Sequence, residues 1–198
     1  MSHYFAPIVE GHGEIAALPI LLRRIAADVT PPFTVEVNPP IRVKSGSFLN
    51  DPIYFSRYVN LAAAKASMHQ GSVLILLDSE DDCPAKLGPE LLARAQQVRP
   101  DVPCLVILAY REFETWFLAS ASSLCCRNGL PEHLSPPFNP EGIRDAKGWL
   151  SDRMTGGLSY DPVSHQAAFP AALDMQEARC NPSFNRLWLK LARYSQDT

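Results

Sequence analysis

The sequence predicts an α/β domain in which a mostly parallel sheet is flanked by helices and followed by a C-terminal helical extension. Two segments, 72–78 and 104–110, contain runs of consecutive aliphatic residues that are typical of strands buried on both faces of a parallel sheet. Segments with helical periodicity lie between the apolar segments, and strands that alternate with helices indicate right-handed crossover connections. At 198 residues, 46% of them apolar, the chain is long enough for a sizeable core and falls within the range of one domain.

The first predicted unit is a strand, a tight turn and a helix. Residues 4–9 are apolar, and the glycine-bracketed loop Gly11-His12-Gly13 separates them from a helical pattern that starts at Glu14. Pro19 lies inside this pattern and marks the first turn of the helix or a kink.

The next segments continue the alternation. Residues 33–37 and 41–43 lie between proline-rich turns and predict one bent strand or two short ones. Helices are expected at 52–70 and from about 89 to 98, on either side of the strand 72–78.

The strand 104–110 precedes a helix that Glu112 to Glu114 are expected to open, after which prolines punctuate a loop and short helices follow. We therefore expect residues 1–124 to form the α/β core and residues 125–198 to form a helical extension packed on it.

The amino-acid composition excludes some of the functions that this chain could have. The formal net charge of -3 gives no overall field that would attract a polyanion, so any nucleic-acid affinity must come from a local patch or a partner. The five cysteines form no Cys-x-x-Cys pair, which indicates reduced thiols rather than structural zinc. No apolar run approaches a membrane span and the N-terminus has no signal-like pattern, so we expect a cytoplasmic protein. Three groups of basic residues are candidate patches, although each is more often a solvated face: Arg42 with Lys44, Arg144 with Lys147, and Arg186 with Lys190 and Arg193.

Carboxylates follow several of the predicted strands. Glu10 ends the first strand, Asp78 ends a buried strand, and Glu112 and Glu114 follow the next one. Ligands of open parallel sheets bind beyond the carboxyl ends of the strands, so these side chains are expected to converge on one edge.

The segment Asp78-Ser-Glu-Asp-Asp82 adds more acidic residues to this edge. If the extended backbone persists, Asp78, Glu80 and Asp82 lie on one side, where they repel each other unless a cation joins them. Hard oxygen ligands favour Mg²⁺, Mn²⁺ or Ca²⁺ over Zn²⁺, and paired ions of this kind support phosphoryl transfer. The alternative is that Asp78 caps a helix and its neighbours form a solvated loop, but Glu10 at another buried strand end would be costly without a partner or a metal.

The loop after the first strand has two interpretations. It could bind a phosphate at a helix N-terminus, but it lacks the Gly-Lys-Ser/Thr of a P-loop, so the glycines are better explained by a tight turn that lets Glu10 face the site. Glu14 is either an auxiliary metal ligand or a carboxylate that interacts with the helix dipole. His12 is either a proton shuttle or a polar surface residue.

The segment after residue 110 combines carboxylates with aromatic residues. Phe113, Trp116 and Phe117 have helical spacing and are expected in the core. Glu114 can face the site, while Glu112 can cap the helix or pair with Arg111.

Four segments carry a resemblance to a known family: residues 9–14, 76–83, 112–119 and 178–184 together look like the bacterial domain of unknown function 4276. That family is similar to Toprim domains, including the nucleases of overcoming-lysogenization-defect type. The resemblance implies a Toprim/Rossmann-like fold, in which Glu10 matches the motif glutamate and Asp78 and Glu80 match the Asp-x-Asp positions. Here Glu80 stands where aspartate is usual.

The resemblance implies a Mg²⁺- or Mn²⁺-dependent nuclease that acts on DNA or RNA. Glu10, Asp78 and Glu80 would be the principal metal ligands, with Glu14, Asp82 and Glu114 as auxiliary carboxylates, and Lys147 or Arg111 would stabilise developing charge. Relatives lie beside an ATPase in bacterial phage-defence modules, which implies an ATPase partner.

Two other functions stay open at the level of sequence. One is a non-catalytic subunit that docks on an ATPase or on nucleic acid. The other, a receiver-like phosphoacceptor, is disfavoured because one glutamate rather than an acidic pair ends the first strand and no lysine ends a later one.

Overall fold

A parallel sheet forms the centre of the computed structural model, which describes residues 2–165 and 167–196. Its strands run in the order β2-β1-β4-β5, with β3 also pairing with β1, and every pairing is parallel. The carboxyl ends of the strands therefore lie at one edge of the sheet, as predicted. Within the described residues the sheet has five strands: β1 (Ser2–Val9), β2 (Thr34–Val37), β3 (Ile41–Arg42), β4 (Ser72–Asp78) and β5 (Cys104–Ala109).

Strand β1 has two successive partners on one side. Its first half pairs with β2 from Ser2 to Phe5, and its end pairs with β3 at Ile8 and Val9. Of the two alternatives predicted here, one bent strand or two short ones, the structure has two short strands. The prolines between them interrupt the ladder because proline cannot donate a hydrogen bond.

The buried strands alternate strictly between two cores. Val73, Ile75 and Leu77 belong to one hydrophobic cluster, whereas Leu74 and Leu76 belong to the other. This period of two explains why the aliphatic run has no polar face: both faces of the sheet are covered.

Helices from the N-terminal half cover both faces. The first helix packs on one face, and the third and fourth pack on the other, against β1, β4 and β5. These helices are α1 (His12–Asp28), α2 (Ser45–Asn50), α3 (Pro52–Ser67), α4 (Pro84–Val98) and the short α5 (Thr115–Ala119).

The C-terminal extension packs on the same face as α1. Phe184, Leu187 and Leu191 are fully buried in one cluster with Leu18 and Leu21 of α1, so the extension completes a shared core rather than forming its own. Its helices are α6 (Ala146–Ser151), α7 (Pro162–His165), α8 (Ala168–Ala172), α9 (Met175–Ala178) and α10 (Pro182–Tyr194), with 3-10 turns at Ala121–Leu124 and Pro140–Gly142.

Three boundaries differ from the sequence prediction. Helix α4 begins at Pro84 instead of about residue 89, because proline is well tolerated at the first helical position, and Pro89 lies inside the helix. Helix α1 begins already at His12. Glu112 and Glu114 lie in a turn, and α5 begins only at Thr115.

None of the helices formed by the described residues is both long and apolar enough to cross a membrane.

Candidate active site

Carboxylates from separate elements meet at the carboxyl edge of the sheet. Glu10 follows β1, Asp78 ends the adjacent β4, and Val9 lies beside Leu76 in the register of the two strands. Burial, and after it the charges of Glu114, Glu14 and Glu10, raise the pKa of Asp78. The structure therefore brings together the predicted residues from these strand ends.

Residues at the end of β3 and at the start of α2 hold Glu10. The Ser45 hydroxyl donates a 2.5 Å hydrogen bond to Glu10 Oε1, and Arg42 Nε donates to the Glu10 carbonyl oxygen at 3.1 Å. Glu10 Oε2 is buried and has no hydrogen-bond partner among the described residues. One carboxylate oxygen is thus fixed, and the other is available to a ligand.

Glu14 lies on the first turn of α1 and is 5% exposed. Burial raises its pKa to about 7; the charges of Glu114 and Glu10 add to this effect, while a backbone amide and Lys147 oppose it. Its Oε2 is buried without a hydrogen-bond partner in the part of the chain that the structure describes.

Gly11 provides space for Glu14 rather than an unusual turn. Its backbone is extended, with φ -85° and ψ 162°, which any residue can adopt. A Cβ on Gly11, however, would overlap the Glu14 carboxylate. The prediction that this glycine is needed for a tight turn at Glu10 is therefore wrong; a Cβ at this position would instead force the end of the Glu14 side chain to move.

The turn after β5 orients the Asp78 side chain. The Phe113 amide donates a 2.8 Å hydrogen bond to Asp78 Oδ1. Burial raises the pKa of Asp78 well above its usual range, and the charges of Glu114 and Glu14 reinforce it more than Lys147 offsets it.

Lys147 brings a positive charge to the site from the extension. Its Nζ lies 2.9 Å from Glu112 Oε2 and 2.9 Å from Glu114 Oε2. Burial alone lowers the pKa of Lys147, but the two carboxylates outweigh burial and the pKa is raised. Glu114 is fully buried and also accepts a hydrogen bond from the Tyr160 hydroxyl at 3.3 Å.

Glu112 connects the turn after β5 to α6. It accepts hydrogen bonds from the Ala146 amide at 3.1 Å and from Lys147 Nζ. The predicted pairing of Glu112 with Arg111 is wrong, because Arg111 points instead towards Asp81, at 3.6 Å.

The acidic loop after β4 does not stay extended. Glu80 has a left-handed φ of 50°, and the chain turns before α4 begins. The expected alternation that would place Asp82 beside Asp78 and Glu80 is therefore wrong. Glu80 is exposed beside the site, and partial burial together with the charges of Glu10 and Glu112 raises its pKa. Asp82 is exposed and lines an adjacent cleft.

A pair of hydrogen bonds joins this loop to the loop after β5. The Glu80 amide donates to the Arg111 carbonyl oxygen at 3.1 Å, and the Arg111 amide donates to Ser79 Oγ at 3.1 Å. Arg111 also has a left-handed φ, of 63°. Asp81, exposed at the tip, pairs with Arg144 at 2.8 Å.

The donor set fits a hard divalent cation in its chemistry. The buried, unpartnered oxygens of Glu10 and Glu14 are carboxylate oxygens, the ligands that Mg²⁺ and Mn²⁺ prefer. Among residues 2–165 and 167–196 no three carboxylate, histidine or cysteine side chains already form a coordination sphere. His12 is exposed on the first turn of α1 and does not belong to the group of residues that forms the site.

Two contributors were not predicted from the sequence. Ser45 anchors Glu10, and Tyr160 donates to Glu114. Ser45 follows a strand end and so lies where ligand residues are expected, whereas no local pattern marks Tyr160.

The fold and the site together define a class: a parallel α/β domain with buried carboxylates at the carboxyl ends of its strands. The chain belongs to the family described as domain of unknown function DUF4276, whose model matches residues 9–192. No match was found among curated proteins or among solved structures.

Proposed function

We propose that this protein is a Toprim-like, Mg²⁺- or Mn²⁺-dependent nuclease of the cytoplasm that hydrolyses phosphodiester bonds, as an effector subunit beside an ATPase in a phage-defence module. One observation carries the proposal: carboxylates from two adjacent strand ends and the following helix meet in a buried site, where oxygens of Glu10 and Glu14 have no hydrogen-bond partner among the described residues. Buried carboxylates of this kind are costly unless a cation compensates them.

Glu10, Glu14 and Asp78 would hold the cation, with Glu80 on the exposed side. A divalent ion bound there lowers the pKa of water and neutralises phosphate charge. The raised pKa values of Glu14 and Asp78 mean that cation binding must displace protons, so the affinity for Mn²⁺ should rise with pH.

The other residues of the site orient these ligands. Ser45 fixes one oxygen of Glu10, and the Phe113 amide fixes one oxygen of Asp78. Lys147 is placed to stabilise negative charge that develops on a phosphodiester, because its side chain is 43% exposed and faces the same group of carboxylates.

The test combines cleavage with cation binding. Wild type, Glu10→Gln and Asp78→Asn would be incubated with plasmid, single-stranded DNA and RNA in Mn²⁺ or Mg²⁺, and Mn²⁺ binding would be measured by calorimetry. We expect each variant to lose at least about 100-fold in cleavage rate and to bind Mn²⁺ more weakly.

The matched control is Glu90→Gln, which removes an exposed carboxylate from α4. It should cleave like wild type. Unchanged cleavage by Asp78→Asn would contradict the site assignment.

A second function is favoured by the position of Lys147, whose ammonium group already pairs with Glu112 and Glu114 without a metal ion and offsets part of their charge. A non-catalytic subunit that retains the fold and docks on the ATPase needs no charge compensation beyond these ion pairs. Wild type that neither binds Mn²⁺ nor cleaves any of the three substrates would support this alternative.

A further inference from the structure

One face of α10 carries a stripe of basic side chains that the proposed chemistry does not use. Arg186, Lys190 and Arg193 follow each other at intervals of four and three residues and therefore lie on one side of the helix. Arg186 and Arg193 are exposed, and Lys190 is partly exposed. We call these three residues the basic stripe.

The basic stripe differs from the other cations near the site. Arg144 pairs with Asp81 at 2.8 Å, and Lys147 pairs with two glutamates. Within the described residues, no side chain of the basic stripe forms an ion pair. Three exposed cations without an acidic partner create a local positive field on a chain whose formal net charge is -3.

A cleft of about 470 Å³ lies between the stripe and the candidate active site. Arg186 belongs to both the cleft and the stripe. Asp81 and Asp82, from the loop that follows Asp78, also line the cleft. The cleft is therefore continuous with the stripe at one side and with the acidic loop at the other.

The floor of the cleft is apolar. Val106 and Leu108 of β5 line it together with Tyr110. Because β5 is at the edge of the sheet, one set of its backbone N–H and C=O groups has no strand partner in the described chain and can hydrogen-bond a ligand. A planar group with polar edges suits such a surface.

Charge is unevenly distributed between the cleft and the basic stripe. The walls of the cleft carry Asp81, Asp82 and Glu141, so the cleft favours a neutral group over a phosphate. The basic stripe favours phosphates. A nucleotide chain has both parts, since its bases are neutral and its backbone is anionic.

We infer that the basic stripe and the cleft form a track for single-stranded nucleic acid, with backbone phosphates on α10 and one base in the cleft. A cleft of this size admits one base but not a duplex. The inference rests on the proposed function and deepens it by naming a single strand as the substrate class. The track leads the strand towards the loop that carries Asp78 and Glu80.

The first experiment measures binding without cleavage. Fluorescence anisotropy of labelled oligothymidylate, oligouridylate and a DNA duplex in EDTA gives the affinity of the full chain as a function of salt. Three phosphate contacts to a single strand predict a log–log salt slope of about −2, which is roughly a 20-fold loss of affinity between about 50 and about 200 mM salt.

The charge variants are Lys190→Gln/Arg193→Gln and, as a matched control, Arg57→Gln/Lys65→Gln on α3, which covers the opposite face of the sheet. The stripe variant should reduce the salt slope to about −0.7, whereas the control should bind like wild type. Equal slopes for wild type and the stripe variant would overturn the track.

A steric variant tests the cleft without changing charge. Ala85 is exposed on the cleft wall, and Ala85→Trp should weaken single-strand binding about ten-fold by excluding the base, with little effect on the salt slope. Unchanged affinity of this variant would overturn the placement of a base in the cleft, and tighter binding of the duplex than of either single strand would overturn the single-strand assignment. Tighter binding of oligothymidylate would indicate a DNA substrate, and tighter binding of oligouridylate would indicate an RNA substrate.

Failure of the track and failure of the proposed nuclease are distinguishable. Hydrolysis of bis(p-nitrophenyl) phosphate with Mn²⁺ reports the chemistry without the track. If wild type binds the single strand with the expected salt slope but hydrolyses neither bis(p-nitrophenyl) phosphate nor nucleic acid, the nuclease proposal fails and the track stands. If hydrolysis of the small phosphodiester occurs and the stripe variant binds oligonucleotides like wild type, the track fails.

Discussion

The α/β core and the C-terminal extension contribute opposite charges to the same site. The core supplies Glu10 and Asp78 from the ends of its strands and Glu114 from the turn after β5, whereas the extension supplies Lys147. The basic stripe on α10 adds further positive charge beyond the adjacent cleft. The core alone would collect buried carboxylates with little compensation. The extension is therefore part of the site and does more than cover the hydrophobic face of α1.

Packing supports the same conclusion. Trp116 of α5 donates a 2.8 Å hydrogen bond from Nε1 to Ser183 Oγ of α10, and both residues are buried. The Asn181 side chain caps α10 and donates to Thr115 at 3.4 Å. The segment 178–184, which carried part of the family resemblance, thus joins the extension to the turn that bears Glu114.

The largest effect is expected from removing the positive charge of the extension. Lys147→Ala leaves Glu112 and the fully buried Glu114 without their cation, so the free energy of unfolding should fall by about 3 kcal/mol in urea denaturation at neutral pH. The control Lys65→Ala, on α3, should change it by less than about 0.5 kcal/mol.

A double-mutant cycle separates charge from packing. If the loss is electrostatic, Glu114→Gln in the Lys147→Ala background should restore part of the stability. A Lys147→Ala variant as stable as wild type would show that the two regions are not coupled by charge.

A smaller effect is expected from pH, because the carboxylates of the core are only partly compensated. The pKa of Glu14 is about 7 in the folded chain against an ordinary value of 4.5. Between these pH values the unfolded chain releases a proton that the folded chain keeps, so the free energy of unfolding should fall as pH rises and then level off above about pH 7.

The expected loss from about pH 5 to about pH 7.5 is on the order of 2 kcal/mol for Glu14, with Asp78 acting in the same direction. Urea unfolding in EDTA at both pH values measures it. Glu14→Gln should flatten the profile, and a stability that rises over this range would contradict the assigned burial of the two carboxyl groups.

The smallest effect should come from the cap that joins the two regions. Asn181→Ala removes the hydrogen bonds to the Ser183 and Phe184 amides and should lower the free energy of unfolding by about 1 kcal/mol. Because it leaves every charge in place, Mn²⁺ binding should not change once the variant is folded. The exposed Asn60→Ala on α3 serves as the control, and an effect of Asn181→Ala on Mn²⁺ affinity would show that packing at α10 also positions the ligands.

The sequence was sufficient to predict the sheet and the principal strand-end residues. Uninterrupted aliphatic runs between helical segments leave few alternatives to a parallel sheet, and Glu10 and Asp78 directly follow or end such runs. Their convergence follows from parallel topology alone.

The rest of the site depends on information that is not local. Residues Glu80 and Asp82 separate because one backbone angle changes sign after β4, which no side-chain pattern reveals. The sequence marked Lys147 as part of a basic pair with Arg144 and as a candidate to stabilise developing charge, but its pairing with Glu112 and Glu114 depends on how the extension folds back on the core.

The hydrogen bonds between the loops after β4 and β5 have a mechanical consequence. Because the Glu80 amide is bonded to the Arg111 carbonyl oxygen and the Arg111 amide to Ser79, neither loop can be displaced alone without breaking a bond. Tyr110, which lines the cleft, and Glu80, beside the carboxylates, therefore lie on two loops that are held together as one hydrogen-bonded unit.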